Sequence, residues 1–375
     1  MSSPSPSDSF DPSSVDLDAF QKDIKALRAK LDASYGEEDL AHLRRFERIG
    51  RLSTLLGVAT GWVMPNPISA LALAWGRSAR WGVMHHVGHR GYDRVPNVPR
   101  NRTSKVFAIG KRRFLDWADW MVPEAWIYEH NVLHHSHTGE ALDPDLIERN
   151  VEYLQKKPLA YRWATLAVLA VAWRAAYYAP ETLDAWRKQR QSLAGANAKP
   201  LPPKWWELLT RCYLPYATLT FVALPLPFLL LGPWAAFSML CNSLIAEALC
   251  NFHTFLMVGP NHTADDLYRF DKAPEGRGER YLFQVISTAN YNTGSELTDY
   301  AHLWLNYQIE HHLFPDIPML KYRALQPEVR ALCEKHGIPY VQQSVWTRAR
   351  KMVDVIVGKT KMRKLVQGRA LDRAA

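Results

Sequence analysis

The sequence predicts an all-α integral membrane protein built from two transmembrane helical hairpins, about four spans, beneath a cytosolic helical cap. Three observations predict it. Residues 52–76 and 212–258 contain no Lys or Arg. Fourteen Trp and sixteen Tyr accompany basic loops, as where amphipathic rings sit at a membrane interface. Parity, set out below, then gathers the histidine clusters on one side. The mean hydropathy of −0.25 looks soluble only because it averages apolar hairpins with polar segments.

In chain order, "MSSPSPSDSFDPSS" has neither a basic start nor an apolar core, so it reads as a flexible tail and not a signal peptide. Leu17, Phe20, Ile24, Leu27 and Leu31 then recur at helical spacing among charges, which predicts an amphipathic surface helix. "LSTLLGVATGWVMPNPISALALAWG" is broken at Pro65 and Pro67, where helices stop. Each half falls short of the roughly 20 residues of a full span, so a hairpin requires Arg51, Arg77 and Arg80 to snorkel; one kinked span is the alternative. The stretch "PLAYRWATLAVLAVAWRAAYYAP" holds Arg162, Arg174 and many aromatics and is assigned to the interface, lying flat. From Cys212 to Val258 runs a stronger hairpin, its first helix kinked by Pro215, Pro225 and Pro227.

With two hairpins and one flat helix, residues 77–211 and 259–375 share a side. The outer turns "PNP" and "LGPW" carry no charge, so the basic side is cytosolic. The resulting division is a polar tail and amphipathic helix over 1–48, a membrane domain over 49–345 and a basic tail over 346–375. The net charge of +9 is assigned to the membrane surface and not to nucleic acid. Four cysteines without a CxxC pair give neither a disulfide framework nor a zinc knuckle.

The chemistry lies in three clusters: "HHVGH" (His85, His86, His89), "HNVLHHSH" (His130, His134, His135, His137) and "QIEHH" (Gln308, His311, His312). On a helix, residues four apart share a face, so His85 with His89 and His130 with His134 each aim two imidazoles at one point. His135 diverges from His134 by about 100°, which suits a second ion. A single histidine is ordinarily a surface or core residue; three clusters at the cytosolic ends of membrane helices are a metal site. Imidazoles without thiolates favour Zn, Cu, Fe or Ni over structural zinc or iron–sulfur. Seven or more exceed one ion's coordination, and a redox pair such as iron suits oxygen chemistry.

These segments, "HHVGH", "HNVLHH" and "LNYQIEHHLFP", resemble the three histidine boxes of the membrane fatty acid desaturase superfamily, and the resemblance covers roughly residues 50 to 340, including "DPDL" and "ALCEKHGIPY". It implies two non-haem Fe ions held by His85, His89, His130, His134, His135, His311 and His312. Gln308 stands where many relatives have a histidine and is read as a weak ligand or as a donor behind one. His86 and His137 are candidate ligands, with hydrogen bonding behind the ligands as the alternative. Relatives add one histidine near the end of the fourth membrane helix; His253 and His262 compete, and distance to the third box favours His262. His42, His302 and His336 are read as bystanders, and Glu247 as an intramembrane acid facing protein or water.

What this resemblance implies is an O2-dependent desaturase acting on a long-chain fatty acyl lipid or acyl thioester taken from the bilayer. A hydroxylase or oxidative decarboxylase on the same scaffold is the alternative, separated by its product. A metal carrier would spread its ligands along a transmembrane path, against the parity argument. "HPGG", the mark of a fused haem domain, does not occur, so a separate ferredoxin or cytochrome with its reductase is expected to supply electrons. A bacterial inner membrane is favoured, with the endoplasmic reticulum as the other setting.

Overall fold

In the computed structural model, residues 10–195, 199–366 and 369–371 are described; the ends of both expected tails, residues 1–9 and 372–375, lie outside them. Helix dominates. Against the all-helical expectation, a few short strands occur: Tyr268–Phe270 pairs in parallel with Arg363–Val366, which pairs antiparallel with Arg369–Leu371. A second pair joins Asn290–Tyr291 to Gln342–Gln343.

Glu37–Gly61 and Pro67–Gly88 form the first hairpin. Its turn is built as the sequence dictates: Asn66 caps the second helix by accepting from Ser69 N at 2.8 Å, and Pro67 starts it where no N–H is needed. The helices approach closely through glycines. A Cβ on Gly57 would lie 2.6 Å from Leu73 Cγ, and one on Gly76 would lie 2.1 Å from Thr54 Oγ1.

Among the described residues, two helices are long and apolar enough to cross a membrane, Lys204–Leu231 and Pro233–Asn261. The first hairpin is less apolar because Arg48, Arg51, Arg77 and Arg80 lie along it, yet Leu52, Leu55, Leu56, Ile68 and Leu71 stand exposed on its surface. The two hairpins lock at their turns: Asn242 accepts from Asn66 N and donates to Gly61 O, and Trp234 donates to Val63 O. Prolines shape Lys204–Leu231. Pro215 has no N–H for the Arg211 carbonyl, and that carbonyl accepts from the buried Arg113 at 2.7 Å.

The helix Leu159–Trp173 continues through a wide turn, Arg174–Tyr178, into Ala179–Ala194. Arg174, a reason to expect this helix at an interface, is buried against Asp119 and Glu247. Glu247 also takes Arg77 and Tyr216, so the acid expected inside the membrane is partnered within the protein. Around this cap, Leu17–Asp32 buries Phe20, Ile24, Leu27 and Leu31. Val345–Ile356, which runs from the end of the expected membrane domain into the stretch read as a basic tail, is docked by Arg348, which is buried and donates to Asp266 at 2.6 Å.

Candidate metal centre

Four segments bring the histidines together. His85 lies in the last turn of Pro67–Gly88 and His89 caps it. The second cluster sits on a helix that starts at Pro123 and loosens over Ile127–His134, where hydrogen bonds skip five residues, before closing at His135–His137. Such wide turns recur at functional sites. The third cluster rides on Gln308–Leu313, a short helix buried along its whole length. His262 follows Pro233–Val258 and the turn Gly259–Asn261.

Two groups of converging nitrogens result. His85, His89, His130 and His311 offer ligand atoms within 4.8 Å of one another, as do His134, His262 and His312. His135 stands between them, its ring centroid 4.4 Å from that of His89 and 4.3 Å from that of His312. His130 and His134, expected to point at one ion, offer ligand atoms within 4.8 Å of each other and of Asp145, and each also belongs to one of the two all-histidine groups, so one wide turn feeds both.

These residues fit metal ions on the evidence of their own unpaired atoms. The Nε2 atoms of His89, His130, His134 and His312, both ring nitrogens of His135 and Nδ1 of His262 are buried without a hydrogen-bond partner. His85 Nε2 faces His311 Nε2 at 3.1 Å. An unsatisfied buried polar atom costs roughly 1–3 kcal/mol, so such a cluster is poorly compensated until a cation draws on the lone pairs. Imidazole nitrogens without thiolates match a first-row transition metal.

The far nitrogens are held from behind. His134 Nδ1 lies 2.8 Å from Asp143 Oδ1 and His311 Nδ1 lies 3.0 Å from the Tyr322 hydroxyl. His312 Nδ1 lies 2.7 Å from Gln284 Oε1, and His130 Nδ1 lies 3.3 Å from the Tyr178 hydroxyl. Such contacts set the ring orientation and free the other nitrogen for a metal. Burial pushes His130 down to about 4, with Asp145 opposing, and holds His135, His311 and His312 well below the usual imidazole range. At His134 burial also pushes down, but the Asp143 carboxylate outweighs it and the net shift is upward.

The remaining candidates lie elsewhere. His86 Nε2 lies 3.0 Å from the Leu303 carbonyl, His137 Nδ1 is 3.1 Å from Glu140, and His253 Nε2 is 2.8 Å from the Ala301 carbonyl. None of the three belongs to either group. Gln308 places its amide 3.0 Å from His262 Nε2, behind that ring. Leu303 and Trp304 hold positive φ of 55° and 61° just before the third cluster, a costly backbone that presents the Leu303 carbonyl to His86.

Sequence reasoning missed Asp143, Asp145, Tyr178, Gln284 and Tyr322. The two aspartates carried a signal, both lying in "DPDL"; the other three come from other helices with no characteristic spacing.

The profile of the fatty acid desaturase family matches residues 60–344. The NADPH-dependent stearoyl-CoA 9-desaturase of Mycobacterium tuberculosis is 24% identical over 88% of this chain and 75% of its own length. Fatty acid desaturase 3 of Bos taurus is 27% identical over 89% of this chain and 69% of its own. The Delta(5) fatty acid desaturase A of Dictyostelium discoideum is 32% identical over 30% of this chain and 25% of its own.

Proposed function

The chain belongs to the fatty acid desaturase family, a family of oxidoreductases, and on that premise we propose that it is an O2-dependent desaturase of long-chain fatty acyl groups with two histidine-held iron ions. The observation that carries this reading is the pair of converging nitrogen groups with their unpaired, buried ring atoms. His85, His89, His130 and His311 would hold one ion, and His134, His262 and His312 the other. His135 lies within reach of both. His86, His137 and His253 are read as support, because each has its own partner.

Bound iron supplies the oxidising power for an unactivated C–H bond. The protein's own residues do the rest. Trp126 stacks on His130 at 4.7 Å between centroids, and Trp81 lies 5.4 Å from His85, so apolar rings wall the site and exclude water. Asp143, Tyr322 and Gln284 keep three imidazoles oriented. The balance is O2, two electrons and two protons, with two hydrogens taken from adjacent carbons, giving a double bond and two waters. A stearoyl-CoA enzyme among the relatives supports an acyl thioester as substrate, and its NADPH dependence supports an external reductase chain.

The exposed apolar faces of both hairpins support a multi-pass membrane protein; about four spans, a bacterial inner membrane and a cytosolic side for the histidines are the placement proposed from the sequence. Expression in a host of simple lipid composition, with iron and a matched electron donor, should yield a new internal double bond in the fatty acid methyl esters. Unchanged lipids from an iron-loaded protein would refute the reading, and an alcohol or a terminal alkene would replace it with a hydroxylase or decarboxylase.

A further inference from the structure

We propose that Arg187, Arg190 and Arg211, gathered on Glu207 in the first turns of the helix Lys204–Leu231, form a binding site for the phosphate of an anionic phospholipid. The proposal goes beyond the desaturase reading and does not depend on it; it uses only the reading of that helix as a membrane span.

One carboxylate holds three guanidinium groups here. Glu207 is buried; it accepts from Arg187 and, through both oxygens at 3.0 Å, from Arg190, and it pairs with Arg211 Nε at 3.0 Å. Arg187 and Arg190 are three apart on Ala179–Ala194, and Arg211 lies one turn past Glu207, so these bonds fix all three side chains at one junction of two helices. Asp184, one turn before Arg187, is taken by Lys188 and Lys204. The junction therefore carries more positive charge than its carboxylates balance. Cations held this close and partly out of water repel one another until an anion joins them.

The donors that such an anion would meet are in place. Arg190 Nε is buried without a hydrogen-bond partner, and among the described residues no acceptor besides Glu207 engages the side chains of Arg187, Arg190 and Arg211. Trp186 lies 4.0 Å from the Arg190 guanidinium and 5.9 Å from that of Arg211, measured to the ring centroid, which holds both forks over one aromatic ring. Planar guanidinium forks with N–H groups to spare match the oxygens of a phosphate.

The surroundings decide which phosphate. Trp205 and Trp206, beside Glu207 in the first turn, are 65% and 47% exposed, and amphipathic rings at the start of an apolar helix mark headgroup depth. Leu214, three residues past Arg211 on the same face, is exposed, so apolar surface begins within one turn of the charge. A phosphate that carries acyl chains uses both surfaces, whereas a free anion uses the arginines alone. A net negative headgroup is preferred over a zwitterionic one, because choline already neutralises its own phosphate.

The test uses the full-length protein in detergent, titrated with dioleoylphosphatidylglycerol or dioleoylphosphatidylcholine, with bound lipid counted by native mass spectrometry. The wild type should hold phosphatidylglycerol roughly tenfold more tightly than phosphatidylcholine. Arg190→Gln with Arg211→Gln leaves Arg187 on Glu207 and should erase that preference. Lys22→Gln with Lys25→Gln removes the same charge from the exposed side of Leu17–Asp32 and should change affinity less than about twofold. Arg211→Gln alone alters the most exposed of the three and keeps two arginines on Glu207, so it should fold as the wild type does and still lose roughly threefold in affinity for phosphatidylglycerol. Equal binding of the two lipids by the wild type, equal loss from both doubles, or wild-type affinity in the single variant would overturn the proposal. Displacement of phosphatidylglycerol by millimolar inorganic phosphate would overturn it as well, since the site would then hold an ion and not a lipid.

Discussion

At the scale of single residues, His134 and His137 lie three positions apart and have different environments. His134 has a buried, unpaired Nε2 beside His262 and His312 and a carboxylate behind it, while His137 is partly exposed and bonded to Glu140. His134→Ala should abolish activity and lower bound iron, whereas His137→Ala should keep most of its iron, both read by elemental analysis of the purified protein. A more damaging His137→Ala would reverse the assignment. Asp143→Asn keeps the shape but removes the charge that orients His134, and losses of about 10- to 100-fold in metal affinity accompany such changes. A competitive chelator titration checks it, with unchanged affinity as the contrary outcome. The histidines that the structure gathers were legible in the sequence because imidazoles clustered at helical spacing have few other uses. Their supports were not, since Tyr178, Gln284 and Tyr322 reach the rings only through tertiary packing.

At the scale of elements, the first hairpin was legible as a break at "PNP", and the close packing of its arms was not, because contact at Gly57 and Gly76 depends on how two helices cross. A Cβ at Gly76 would meet Thr54 Oγ1 at 2.1 Å and the Gly50 carbonyl at 3.0 Å, and a backbone carbonyl cannot rotate away as a side chain can. Gly76→Val should therefore force the arms apart, at a cost of about 1–3 kcal/mol typical of overpacking, visible as a lower melting temperature in detergent. Since His85 and His89 ride on the same helix, iron content should fall with it; a variant of unchanged stability would show that the arms are free to slide. The wide turn over Ile127–His134 was equally hidden. Regular 3.6-residue spacing put His130 and His134 on one face, and in the wide turn they still converge, with Asp145, while each also joins a different all-histidine group.

At the scale of the whole molecule, the cap is closed by ion pairs between segments remote in sequence, which no local pattern could reveal. Arg28 of the amphipathic helix reaches Asp316 through two bonds of 2.7 and 2.9 Å, and Arg94 adds a third of 2.8 Å. Asp316 lies just past the third histidine cluster, so this junction ties the N-terminal helix, the loop after the first cluster and the loop after the third into one body. Burial pushes the Asp316 carboxyl up, but its bonds to the two arginines outweigh that and hold it below the ordinary carboxylate range. Its folded value is thus lower than the unfolded value of about 3.9, so the junction's contribution is complete above that pH and is lost as pH falls through the folded value. Asp316→Asn should be less stable than the wild type at pH 7, and the gap between their unfolding midpoints in detergent should close as the pH is lowered from about 5 towards 3. A gap that stays constant over that range would show that the loss comes from packing and not from charge. Iron should leave both proteins over this acid range, because protons compete for the same lone pairs. The comparison is therefore made on iron-free protein, where only the junction distinguishes the two chains.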